Sequence, residues 1–130
     1  KDRFTRLFAA NLKMFVDSCR DTGITPVLMT QFNRYRQPLD PQIQANLDEL
    51  EDRLDMDGEV FVDLYRALNQ TIRRIARERG VLLIDLDRKV PKTSDYLFDE
   101  IHLNTNGSVE VARIVAKALA PLAAAQDDEQ

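Results

Sequence analysis

With 130 residues, 44% of them hydrophobic and 31% charged, the chain suffices for one domain or a large piece of one, and it is too apolar for compositional disorder. Eighteen basic residues against 22 acidic ones leave a net charge of −4, which argues against a general binder of nucleic-acid backbone. One cysteine, Cys19, excludes an internal disulfide and a Cys-rich zinc site, one histidine, His102, is the sole candidate for imidazole chemistry, and no apolar run approaches the ~18 residues of a membrane span.

Phe4, Leu7, Phe8, Leu12, Phe15, Val16 and Cys19 recur at helical spacing, which predicts an amphipathic helix to about Asp21 with Gly23 as its stop. The opening KDRFTRLF reads as the inside of a helix, so the natural chain is expected to be longer. Thr25–Thr30 is a short apolar run bounded by turn signals and reads as a buried strand. A loop from Gln31 to Leu39 follows. Asp40-Pro41 then makes a helix start, a capping carboxylate before a proline at the first helical position. That helix carries a narrow stripe of Ile43, Leu47, Leu50 and Leu54, with Gly58 expected to end it. Phe61, Leu64, Tyr65, Leu68, Ile72, Ile75 and Ala76 form one face of the next helix, which Gly80 terminates. Arg73, Arg74, Arg77 and Arg79 are expected on its solvated side, where they suit the helix dipole.

Val81–Asp85 is the second apolar strand, and residues 86–98 read as irregular. A last helix is expected from Asn104 or Thr105 to about Ala120. Its only polar face is Glu110, Arg113 and Lys117, so most of its circumference is expected to be buried, and Pro121 is expected to weaken or end it. Two apolar strands separated by helices predict an α/β fold with a parallel sheet covered on both faces. Residues 1–124 are read as part of one domain and 125–130 as a flexible tail. Two strands are too few for such a domain, so further strands are expected from an N-terminal part of the same domain that precedes this chain.

Asp99 and His102 stand three residues apart before the last helix. A carboxylate at that distance can hold the imidazole Nδ1–H, stabilise the imidazolium and leave Nε2 free to take a proton, as a general base for a serine hydroxyl requires. DRLDMDGE is no calcium loop, because placing Gly58 at the sixth position puts Arg53 at the first and Leu64 at the twelfth, where carboxylates are needed. No second His or Cys accompanies Asp85 and Asp87, so no metal site is expected there.

The stretch FDEIHLNTNGSVEVARIVAKAL resembles the last block of the SGNH/GDSL hydrolase family, GVLLIDLDRKVPK its last strand, GITPVLMTQ the strand before, and ALNQTIRRIARERG the helix between. The resemblance covers about residues 4 to 120. It implies the C-terminal half of a flavodoxin-like, three-layer α/β/α domain acting on an ester of a small molecule, carbohydrate or lipid, without a cofactor. It also implies His102 as catalytic base and Asp99 as its support, with Asn104 and Gly107 fitting the family's H-x-N-x-x-G continuation. The family's Gly-Asp-Ser nucleophile block and its G-x-N-D block, whose Gly and Asn help form the oxyanion hole, have no counterpart here. Ser18, Ser94 and Ser108 lack the family's setting, so the nucleophile is expected outside this chain. In the loop after the first strand, Gln31, Asn33 and Arg34 are candidate substrate-binding residues for a polar or anionic acyl group. The same family includes acyltransferases. The rival reading is a flavodoxin-like binding module in which Asp99 and His102 are structural.

Overall fold

Val27–Met29 (β1) and Leu82–Ile84 (β2) pair in parallel, with Val27 beside Leu82, Leu28 beside Leu83 and Met29 beside Ile84. Partners in such a ladder share a face of the ribbon, and successive residues alternate between faces. Leu28 and Leu83 accordingly pack with Ala9, Val16, Ile72, Ile75 and Ala76 of the helices α1 (Asp2–Asp21) and α3 (Gly58–Arg79). Val27 and Ile84 turn the other way, toward Val111, Ile114 and Val115 of α5 (Thr105–Asp127). The computed structural model describes residues 2–55 and 57–127, and helix α2 (Pro41–Leu54) and the short α4 (Leu86–Lys89) complete its elements.

This corrects the expected fold. The described residues are mostly helical, and their one sheet is a ribbon of two three-residue strands rather than the parallel sheet of a three-layer α/β/α domain. The apolar runs 25–30 and 81–85 were each expected to be strand throughout, but only their centres pair. Much of the core is helix on helix, with α1 lying along α3. A third cluster joins Ile43 and Leu47 of α2, with Leu50 packed against them, to Val62 of α3, so these three residues of the α2 stripe are spent inside their own domain.

Caps explain most element ends. The Asp40 carboxylate accepts the Ile43 N–H at 3.0 Å, and Gly80 closes α3 in the left-handed region at φ 58°. Gly58 departs from its expected role. Asp55, at φ 50°, closes α2, and Gly58 opens α3 behind the Asp57 cap. A Cβ on Gly58 would lie 3.1 Å from Leu47 Cβ, so the residue serves the close approach of α2 to α3. Helix α5 does not stop at Pro121 but continues to Asp127, over the alanine run whose propensity favours helix. Residues 125–127 of the expected tail are thus helical, and 128–130 lie outside the described residues. Nor is α5 buried around most of its circumference, since Val109 is exposed while Ile114 faces the ribbon. No helix among the described residues is long and apolar enough to cross a membrane.

Candidate active site

Residues 96–104 form a tight antiparallel turn. Phe98 N–H donates to His102 C=O at 3.1 Å and Asn104 N–H to Tyr96 C=O at 3.0 Å, which sets Leu97 opposite Leu103. Both leucines enter the core under α5 and anchor the turn. Asn104 then caps α5, its Oδ1 accepting Gly107 N–H at 3.0 Å while its Nδ2 donates to Ser94 C=O at 2.9 Å. Gly107 is required by contact. A Cβ there would stand 2.0 Å from the Tyr96 carbonyl oxygen, so only glycine lets the turn rest on the first turn of α5.

Asp99 and His102 meet at the tip. Asp99 Oδ1 accepts the N–H groups of Ile101 at 2.9 Å and His102 at 2.8 Å, and Oδ2 lies 2.7 Å from His102 Nδ1. Burial works to raise the Asp99 carboxyl, but the two backbone N–H groups and the imidazole outweigh it and hold the group below its ordinary value. An ionised carboxylate only accepts, so Nδ1 carries the proton and donates, and in the neutral ring Nε2 keeps its lone pair. The Phe98 ring stacks on the imidazole at 5.6 Å and 18°. The His102 side chain is 64% exposed against 22% for Asp99, and no hydrogen bond to Nε2 occurs among the described residues. The pair is therefore an oriented, solvent-facing base with a shielded acid behind it.

The loop carrying Gln31, Asn33 and Arg34 does run against this turn, because Arg34 N–H donates to Glu100 C=O at 2.8 Å. Of the three side chains, Gln31 alone is exposed, and its backbone is held by Asn69 on α3. Asn33 is buried and bonded to Asp87 and Lys92. Arg34 is buried too, bonded to Asp40, Gln42 and the carbonyls of Leu97 and Phe98. Both side chains are therefore bonded largely within the protein, with Arg34 Nε the guanidinium nitrogen left without a partner among the described residues.

A second charged cluster lies at the carboxyl ends of the strands. Arg73 grips both oxygens of Asp85, at 2.8 and 2.7 Å, and also reaches Asp87, which Lys92 and Asn33 bond from the other side. Thr30 joins in, donating to Asp85 and accepting the Asp87 N–H. Arg73 was expected on the solvated side of its helix. It turns inward because two carboxylates at the strand end need a cation. Burial raises the carboxyls of Asp85 and Asp87, but their bonds to Arg73, Thr30 and Lys92 prevail and lower both. Among the described residues no group of three His, Cys, Asp or Glu side chains is arranged to hold a metal ion.

Ser18 lies in α1, Ser94 before the turn and Ser108 in the first turn of α5, and none bonds His102 among the described residues. A groove of about 560 Å³ runs between Arg34, Arg36, Pro38 and Asp40 on one wall and Lys92, Thr93 and Ser94 on the other, without Asp99 or His102 in its lining. No family model, no curated protein and no solved structure matches the chain.

Proposed function

We propose that this chain supplies the acid–base pair of a serine-dependent ester hydrolase of the SGNH/GDSL type, with the nucleophile and oxyanion donors outside it. The observation that carries the reading is the 2.7 Å contact between Asp99 Oδ2 and His102 Nδ1, with Oδ1 of the same carboxylate tied to two backbone N–H groups. It leaves an exposed Nε2 aimed away from its support. In the reaction His102 Nε2 takes the proton of the serine hydroxyl as that oxygen attacks the ester carbonyl. It returns the proton to the leaving alcohol, then takes one from the water that releases the acid. Asp99 stays ionised, holding the ring and stabilising the imidazolium.

The test uses the natural-length protein and a fluorophosphonate probe, read by intact mass. One adduct on the wild type, lost in His102→Ala, supports the reading, as does a fall in ester turnover of roughly 10²–10⁴-fold in the variant. Unchanged turnover in His102→Ala overturns it, and a folded protein that takes no adduct favours a binding module. Asp99→Asn is expected to lower turnover comparably or less, by presenting the wrong tautomer. Product analysis with competing alcohols separates hydrolysis from acyl transfer.

A further inference from the structure

We infer that Arg34 is the positioning residue of the Asp99–His102 pair, holding the turn that carries them from behind; the inference rests on the reading of that pair as an acid–base couple. Arg34 is 4% exposed, the only charged residue in the buried class among the described residues. A guanidinium is costly to bury unless its donors are bonded, so the partners it collects indicate what its burial secures. Nη1 donates to the carbonyls of Leu97 at 3.2 Å and Phe98 at 3.4 Å, and to Gln42 Oε1 at 3.2 Å. Nη2 donates to Asp40 Oδ2 at 2.6 Å, the buried Nε has no partner among the described residues, and the backbone N–H reaches the Glu100 carbonyl. The residues held are 97, 98 and 100, the two before Asp99 and the one after.

The other end of this linkage is rigid. Asp40 caps α2 through Oδ1 while its Oδ2 receives Arg34, and Gln42 in the first turn of α2 also donates to Phe98 C=O at 3.4 Å. The helix start therefore grips the turn through the Arg34 guanidinium and, more weakly, through the Gln42 amide. Arg34 makes no bond to the imidazole or to the Asp99 carboxylate, so it acts on them only through the backbone. A planar fork can meet several acceptors at once, whereas a lysine ammonium meets them as a single point on a flexible stem. On the other side of the turn Phe98 and His102 face solvent. The remaining supports, the core leucines, the Gly107 contact, the bonds of Tyr96 and Leu97 N–H to Thr93 C=O and that of Asn104 to Ser94 C=O, lie at the base of the turn rather than at its tip.

His102 is the only histidine, so its imidazole nitrogen resonances are free of overlap in this 130-residue chain. The experiment compares ¹⁵N imidazole spectra of the wild type, Asp99→Asn, Arg34→Met, Arg34→Lys and Gln42→Ala with those of a peptide spanning residues 99–104. Helical circular dichroism serves as the control for folding. The wild type is expected to hold the neutral ring as the Nδ1–H tautomer, and Arg34→Met to return it to the tautomer mixture of the peptide with helix content unchanged. A folded Arg34→Met chain that keeps the wild-type tautomer overturns the positioning role and leaves the Asp99–His102 pair standing. A wild type that already matches the peptide, unaltered by Asp99→Asn, overturns the pair itself and the inference with it. Should Arg34→Met unfold, Arg34→Lys and the exposed Gln42→Ala decide the matter. A partial loss of the Nδ1–H tautomer in both sustains the role, and wild-type spectra in both overturn it.

Discussion

Two places in this molecule set a carboxylate against a nitrogen base, and they are built in opposite ways. At the strand ends Asp85, Asp87, Arg73 and Lys92 are largely buried, and both carboxylates are gripped from several sides. At the tip of the 96–104 turn Asp99 is saturated, but the His102 ring has one nitrogen bonded and the other turned to solvent. A cluster whose carboxylates are each gripped by cations and hydrogen-bond donors can hold a fold, yet it presents no free lone pair on a neutral base with which to move a proton. An oriented base with a free lone pair can. Saturation, more than the presence of charge, separates the two.

The largest effect is expected where saturation is broken. Arg73→Met removes the shared partner of Asp85 and Asp87 and should cost about 3 kcal/mol in urea unfolding, toward the low end for breaking a buried pair because Arg73 is 14% exposed. A loss within about 0.5 kcal/mol would return the cluster to the status of a surface ion pair. The same cluster fixes a pH dependence. Both carboxyls are lowered in the folded chain, so the unfolded state binds protons first as pH falls. Their contribution is complete above the ordinary aspartate value of about 3.9 and drains away below it. In Arg73→Met the carboxyls lose the bonds that lower them, so less stability remains to be lost on acidification and the two stability–pH curves should converge below about pH 3.9; parallel curves for the two proteins would sink this account.

Next comes Gly107→Ala, which forces a methyl against the Tyr96 carbonyl. It should destabilise by about 2 kcal/mol and also disturb the His102 imidazole signals, because turn and helix must part. A stable variant with unaltered signals would mean that the contact relaxes freely. The smallest effect belongs to the exposed side of the comparison: His102→Ala should alter stability by less than about 0.5 kcal/mol. A larger loss in urea unfolding would make the imidazole a structural group after all.

What could be read along the chain was whatever depends on near neighbours. Asp40-Pro41, Gly80 and Asn104 mark helix ends through bonds only three or four residues long, and each does so in the structure. Asp99 and His102 were legible for the same reason, since their spacing is a local geometry. Gly58 misled because its role is set by Leu47, eleven residues earlier in another helix. Arg73 misled because the carboxylates that draw it inward, Asp85 and Asp87, lie beyond the end of its own helix, after β2 and in α4. The sheet was overread: an apolar run says that a segment is buried, and helices α1, α3 and α5 bury most of that length without lengthening the ribbon. The burial of Asn33 and Arg34 had no signature in the loop that carries them, whose polar composition suits a solvated surface as well as an internal scaffold.

Asp99 divides its two oxygens between two tasks. One closes the chain back on Ile101 and His102; the other meets the ring. The acid thus measures its own distance to the base, and the two intervening residues act as the fixed gauge between them. An insertion of one residue between positions 99 and 102 would miss both tasks together. Lengthening the side chain to glutamate would do the same, because its oxygens would overshoot the backbone and the ring at once. Asparagine keeps the length and one accepting oxygen, so among single replacements it can change the chemistry while sparing the geometry.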